Sequence, residues 1–394
     1  MPATRDRAAM TPPRLHRVDL SHVDLDPRRG PVRAPLTLEL LRGPSFDARF
    51  DRHTLFYDIF RSADGQSVIA IGPPVRRGLA LADLEFRAAP GGPPLPFIRR
   101  PAGEDPARHA PLRLEIASPP GAAMLHIRHG SQERRAPVRP NLSAAFAGRA
   151  ALVTTSRDNP IEWIEDWARF HAVACGVDAV VLYDNASLDD GPAEIEARLA
   201  RVPGLREIAV IDQPAWFGIR RQDLLATDYL GMDMFLQTAM LRHALDRLLA
   251  RADVMLNLDV DELLLLEDGV TARSLLSQER PVAILQRWNV FAPGPQRPGL
   301  PRHAAARRRL TSDPPPPKWA LRPAGLTADI VPGIHGAQGA PQTGAAPEQA
   351  WVGHVWELTR SPKLPARLAA PEGPSGECGL LVRRLAQAFP GGSG

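Results

Sequence analysis

Two kinds of hydrophobic patterning divide the chain near residue 148. Before that point apolar and polar residues alternate with period two. Leu36–Leu40, Thr54–Phe60, Ser67–Ile71, Leu112–Ile116 and Ala123–Arg128 each read as half-buried strands. The turn Ala63-Asp64-Gly65 predicts a hairpin, and Pro119-Pro120-Gly121 turns the chain between the last two runs. No helix-length period occurs there, so residues 31–147 are expected to form a small β-sandwich-like domain, either a sugar- or partner-binding module or a structural cap. Residues 1–30 are polar and rich in Arg, Asp and Pro, and read as a loose tail.

After residue 148 strands alternate with helices. Ala151–Thr155 is a strand. It leads into a helix over 161–175 with Ile161, Ile164, Trp167, Ala168 and Cys175 on one face and Glu162, Glu165, Asp166 and Arg169 on the other. Asn159 suits the N-cap, Pro160 the first helical position and Gly176 the stop. Ala179–Tyr183 follows as a second strand, and this strand–helix–strand unit implies a crossover and parallel pairing. Ile208–Ile211 is a third strand. A helical region over about 220–250 carries the stripe Met234, Thr238, Leu241, Leu245 and Leu248, and Val254–Leu258 is a fourth strand. Ala283–Trp288, Ile330–His335 and Trp351–Leu358 read as later strands. Residues 338–349 read as a mobile stretch, and 361–394 as a mostly disordered tail with a short helix at Leu380–Phe389. The expected architecture is an α/β domain over 148–360 behind the β-rich domain.

Composition adds limits. The 394 residues suit two or three domains, and 44% of them are hydrophobic, enough for a sizeable core. Lys plus Arg is 48 against 44 for Asp plus Glu, and the net charge of +4 is no polyanion-binding signature, so no nucleic-acid partner is expected. Lys318 and Lys363 are the only lysines, and with abundant Ala and Pro this arginine bias fits a GC-rich bacterial genome. Cys175 and Cys378 are far apart, without metal spacing, which fits a reducing compartment. No signal peptide and no run near the roughly 20 apolar residues of a membrane span is present. A cytoplasmic protein without a transmembrane segment is expected, with peripheral membrane association left open.

The chemistry concentrates where the fourth strand ends, in Asp259-Val260-Asp261-Glu262. Three carboxylates in four residues repel one another unless a cation neutralises them. A divalent metal carrying a phosphorylated ligand does so, because hard cations take oxygen ligands. The plainer alternative is an acidic turn that caps the next element. Two further polar loops, Ser156-Arg157-Asp158-Asn159 and Asp184-Asn185-Ala186-Ser187, end the first two strands. In an alternating sheet all three gather at one crevice.

This ordered set, with Glu162-Trp163 and Phe170-His171 on the first helix and Tyr183-Asp184-Asn185-Ala186-Ser187 after the second strand, resembles the family 2-type glycosyltransferases of the GT-A fold, in a bacterial branch related to family 92. The resemblance covers about 150–357. It implies a Rossmann-like nucleotide-diphospho-sugar domain, a nucleotide-sugar donor, Mn²⁺ or Mg²⁺, and transfer to a glycan or glycolipid acceptor in polysaccharide or glycoconjugate synthesis. By that resemblance Asp259 and Asp261 match the metal–diphosphate motif, and Asp184, with Asn185 beside it, approaches the nucleotide. Asn159 takes the Asn position of the usual Lys-Asn-Glu turn, whose Glu is replaced by Pro160, so that Asp158 is the substitute. Lys318 and Arg322 would balance the diphosphate, His335 would join the metal with His354 as its competitor, and Glu262 would support the motif. Asp329 and Glu357 are the remaining candidates for a general base, and Trp288, Trp319 and Trp356 for sugar stacking. A haloacid-dehalogenase-type phosphatase, a nucleotidyltransferase and an inactive sugar-binding protein stay open as alternatives.

Overall fold

The computed structural model of the chain describes residues 12–29, 32–75, 79–100, 110–220, 223–225, 235–293, 300–326, 329–344, 349–358 and 371–390. It is a mixed α/β structure with several sheets and few helices. A short strand β1 (Arg14–Leu15) comes first. Two antiparallel sheets follow. One holds β2 (Asp58–Arg61), β3 (Val68–Gly72), β5 (Phe97–Arg99) and β6 (Leu112–Ile116). The other holds β4 (Leu84–Arg87), β7 (Met124–His129) and β8 (Gln132–Pro137). The two sheets share one core that includes Val68, Ala70, Phe86, Leu114, Ile116, Leu125 and Ile127. The expected hairpin forms, with Asp58 opposite Ile71. The strands at 112–116 and 124–129, by contrast, lie in different sheets. Leu36–Leu40 is not a strand: a 3₁₀ turn at Glu39–Leu41 leaves Leu38 and Leu40 exposed. Alternation alone cannot form a strand without a partner edge.

The central sheet is built from β9 (Ala150–Ser156), α1 (Ile161–Cys175), β10 (Ala179–Asp184), α2 (Pro192–Leu199), β11 (Glu207–Asp212), α3 (Phe235–His243) and β12 (Val254–Asn257). After β13 (Glu262–Leu266) come β14 (Val282–Leu285), β15 (Arg287–Phe291), β16 (Lys318–Leu321), β17 (Gln342–Gly344), β18 (Ala350–Val355) and α4 (Gly379–Ala388). The spatial order is β1-β11-β10-β9-β12-β16-β14-β17. β11, β10, β9 and β12 are parallel; β16 is antiparallel to both neighbours. Most of the residues in the four parallel strands are buried because both faces are covered. α1 and α2 cover one face. α3 covers the other together with Tyr57, Phe60, Ile69 and Ile71 of the N-terminal region. The β-rich part therefore supplies core to the central sheet.

Several boundaries differ from expectation. α1 starts at Ile161 with Pro160, not Asn159, at the cap; Pro160 offers its carbonyl to Trp163 and lacks a capping side chain. Gly176 closes the helix at φ 70°, as its position predicts. The helix expected over 220–250 begins, among the described residues, at Phe235 and ends in a π-helical turn, Ala244–Leu248; residues 221–222 and 226–234, including Met234, lie outside the described set. The run 283–288 breaks at Gln286, where the chain leaves the central sheet for the second one, β13-β18-β15. The expected stretches at both ends contain ordered parts. β1 pairs with β11, and Arg14 and His16 both reach the buried Glu207. Near the other end, Ser375–Glu377 pairs with Arg308–Leu310, and α4 packs Leu381 and Leu385 into the core against α1. Among the described residues no helix is long and apolar enough to cross a membrane.

Candidate functional site

The strand order reverses beside β9, whose neighbours are β10 and β12. Such a switch point opens a crevice at the carboxyl ends of the strands. A cleft of about 350 Å³ lies there, walled by Ser156, Arg157 and Asn159 after β9, Asn185 after β10, Phe217 and Arg220 beyond β11, Gln237 of α3, and Asp259 to Asp261 after β12.

The acidic segment is a tight turn between β12 and β13. The Asp259 carbonyl accepts the Glu262 N–H at 3.0 Å, and the Glu262 carboxylate returns to accept the Asp259 N–H at 2.8 Å. Glu262 is fully buried; Arg287 donates to one oxygen at 2.6 Å, and Lys318 lies 3.2 Å from the other. Burial pushes the Glu262 carboxyl above its ordinary value, against the pull of Lys318. Its atoms are thus committed to shaping the turn. Lys318 is also fully buried and donates to Asp259 Oδ2 at 2.7 Å. Burial opposes the Lys318 charge, but Asp259 and Glu262 outweigh it and raise its pKa.

Asp259 and Asp261 remain partly open. Gln237 Nε2 lies 3.4 Å from Asp259 Oδ1, and His354 Nε2 lies 3.3 Å from Asp261 Oδ2. Burial works against the charge on Asp261, yet His354, with Lys318 and Arg287 behind it, holds its carboxyl at about 2. The other His354 nitrogen, Nδ1, bonds Asn289 Oδ1 at 2.8 Å, which requires its proton there. The donor atoms of Asp259, Asp261 and Glu262 lie within 4.8 Å of one another. Three carboxylates against Lys318 and Arg287 leave one net negative charge. The oxygen-rich set and this residual charge fit a hard divalent cation, with Asp259 and Asp261 as the open ligands and His354 adjoining.

The other expected residues divide. Asn159 and Asn185 line the cleft. Asn185 gives both amide protons to the carbonyls of Gln213 and Ala215, at 2.7 and 2.8 Å; its buried Oδ1 has no partner among the described residues. Asp158 and Asp184 do not line the cleft. They brace their two loops: the Ser187 hydroxyl donates to Asp184 and accepts from the Asp158 N–H, while Asp158 accepts from the Leu188 N–H. Asp158 and Ala186 there hold positive φ, 53° and 55°, a strained conformation for non-glycine residues. Burial raises the Asp184 pKa. Arg322 is remote from the cluster: four residues along a strand span roughly 13 Å, whereas a helix would stack them. Its N–H caps the Pro281 carbonyl at the far end of β16. His335 stands near Lys318, giving its Nδ1 proton to the Pro317 carbonyl at 3.0 Å, outside the three-carboxylate group. Burial, then Lys318, lowers its pKa. Asp329 faces Arg100 at 3.8 Å, Glu357 accepts the Ala292 N–H, and Trp319 is core.

Sequence reasoning missed Arg220, Gln237 and Arg287. Arg220 sits 4.5 Å over the Phe217 ring, and burial, then the charges of Arg49 and Arg157, lower its pKa. Like charges crowd this rim beside two carboxylates. The helix motif residues turn out to support the site. Trp163 donates to the Pro301 carbonyl near His303, whose Nε2 reaches the Val260 carbonyl at 2.8 Å. His171 donates to Trp167 O and accepts the Leu264 N–H at 3.0 Å, tying α1 to β13.

Burial pushes the His171 pKa down to about 3. The unfolded side chain titrates near 6.5, so between these values the unfolded chain binds more protons. Its contribution is complete above pH 6.5 and is lost as pH falls toward 3. The urea midpoint of the wild type is expected to decline between pH 6.5 and about pH 4. His171→Gln, which keeps an acceptor without a titrating ring, should show a shallower decline; equal slopes would assign the acid sensitivity to other groups.

A scan against protein-family models and a search of curated proteins found no match to this chain.

Proposed function

We propose that this protein is a metal-dependent glycosyltransferase that takes a sugar from a nucleoside-diphosphate donor. The observation that carries the reading is the pairing, in one cleft at the sheet's switch point, of the open carboxylates Asp259 and Asp261 with the arginine rim of Arg157 and Arg220. A Rossmann-like GT-A sheet is supported by the 3-2-1-4 order of the parallel strands, the order in which one mononucleotide-binding half, 3-2-1, meets the first strand of the next.

In this reading the chain's own groups divide the ligand. Arg157 and Arg220 orient the diphosphate by charge-assisted bonds. The Asn185 Oδ1, without a partner among the described residues, accepts a hydrogen bond from the base or ribose. Asp259 and Asp261 hold the cation; Lys318 fixes Asp259, His354 fixes Asp261, and Glu262 keeps the turn closed. A bound Mn²⁺ or Mg²⁺ supplies Lewis-acid stabilisation of the leaving diphosphate. The acceptor is a glycan or glycolipid hydroxyl.

The test is nucleoside-diphosphate release from a panel of nucleotide sugars with Mn²⁺, with and without acceptor glycans. Release from at least one donor is expected, with Asp259→Asn inactive. Arg220→Ala should weaken donor binding about 10- to 100-fold, the loss of one bond to a charged group. Phosphate release from simple phosphomonoesters, with every nucleotide sugar left intact, would favour the phosphatase instead.

A further inference from the structure

The outer face of the β4–β7–β8 sheet carries chemistry that the cleft does not use. Strand alternation sends Leu84, Phe86, Leu125, Ile127 and Ala136 into the sandwich core. Glu85 and Arg87, His126 and Arg128, and Glu133 and Arg135 therefore point outward. Register lines them up in two rows across the three strands: Glu85–Arg128–Glu133 and Arg87–His126–Arg135. The first row alternates in sign and satisfies itself, with Arg128 donating to Glu85 at 2.6 Å. The second sets two arginines on either side of a histidine, a row of donors with no carboxylate of its own. Arg87 leans back on Glu85 and the Gly92 carbonyl. His126 and Arg135 have no side-chain partner among the described residues. Both rows lie in a hollow of about 710 Å³ closed by Pro90 and Gly91.

We propose that this face binds an acidic glycan bearing carboxylate groups. Arginine forks match carboxylates bidentately. The ends of the basic row stand two strand spacings apart, roughly 10 Å, on the scale of two carboxylates carried two sugars apart along a glycan. The carboxylates of Glu85 and Glu133 in the same hollow accept hydrogen bonds from hydroxyls, which a glycan supplies; they repel the continuous phosphates of a nucleic acid. Met124 is the exposed large apolar side chain on these strands, too little for insertion into lipid. The site stands independently of the transferase reading.

The experiment is titration of the full chain with a fluorescent galacturonate oligosaccharide, beside a neutral maltooligosaccharide and polyphosphate. Galacturonate is expected to bind and maltooligosaccharide not to. The double variant Arg87→Ala/Arg135→Ala should bind galacturonate at least about tenfold more weakly, as two lost charged bonds require. Those side chains are exposed enough that folding should survive, which an unchanged near-UV circular dichroism spectrum would verify. Arg135→Lys, which keeps the charge and loses the fork, should fall between wild type and the double variant. No galacturonate binding by the wild type, unchanged affinity in the double variant, or polyphosphate binding tighter than galacturonate would each overturn the proposal. The double variant should leave any Mn²⁺-dependent nucleotide binding intact, so the two readings fail separately.

Discussion

Lys318→Met is expected to lower the melting temperature by roughly 4–6 °C and to abolish nucleotide binding. Lys318 is fully buried between Asp259 and Glu262, at 2.7 and 3.2 Å. Removing it leaves Glu262 at zero exposure with Arg287 as its one cation, and three carboxylates facing one another across a tight turn. Breaking a buried ion pair from one side costs about 3–5 kcal/mol, because the abandoned charge stays desolvated. Methionine fills the same volume, so the loss reports charge and not a cavity. Mn²⁺ should recover more of the melting temperature in this variant than in the wild type, since a cation then relieves repulsion that Lys318 had already relieved. Thermal unfolding with and without Mn²⁺ reads both effects. A variant as stable as the wild type would mean that Glu262 is not charged in the folded protein.

Asp58→Ala is the second large effect, and it concerns how the two parts of the chain depend on each other. Asp58 belongs to β2 and is completely buried. It accepts from His243 Nε2 at 2.8 Å, Arg247 Nη1 at 2.7 Å and the Ser21 N–H at 2.7 Å. His243 in turn takes the Tyr183 hydroxyl proton at its other nitrogen, which places Tyr183 of β10 in the same network. Burial opposes the Asp58 charge, but His243 and Arg247 hold its pKa below the ordinary value. Alanine strands the buried Arg247 guanidinium, again at a cost of about 3–5 kcal/mol. Because the folded pKa is depressed, this stabilisation is present above the ordinary carboxylate range near 4 and is lost as pH falls through the lowered value. A chain starting at residue 148 also loses Asp58, Tyr57, Phe60, Ile69 and Ile71 from its core and should not fold to a soluble form. Soluble, cooperatively melting 148–394 would contradict that dependence.

The strongly periodic parts were legible in the sequence. β9, α1, β10 and β12 follow from apolar runs and the Gly176 stop, and the crossover logic gives their parallel pairing. What escaped was set by tertiary partners. Arg14–Leu15 is a strand only because β11 offers it an edge. Gln286 breaks an apparently continuous run because one half pairs in each of two sheets. At the site, the carboxylates and the asparagines were visible as strand-end clusters. Spacing could not tell a carboxylate that faces the cleft from one that braces a loop, as Asp158 and Asp184 do. Lys318 and Arg322 look equivalent four residues apart, yet extended backbone carries the second away from the cluster. For His354 the strand was legible in Val352-Gly353-His354-Val355; that it lies directly across from Glu262, on the same face, came only from register with β13.

The central claim is that Asp259 and Asp261 bind a divalent cation together with a nucleoside diphosphate. It is tested most directly by the melting temperature of the protein with Mn²⁺ and UDP or GDP, for the wild type and Asp261→Ala. Ligand binding at 100 times its dissociation constant stabilises by about 2.7 kcal/mol, so a rise of several degrees is expected for the wild type with metal and nucleotide together. The rise should vanish without metal and in Asp261→Ala. A wild type whose melting temperature no nucleoside diphosphate raises in the presence of Mn²⁺, or an Asp261→Ala variant that responds as fully as the wild type, would contradict the claim.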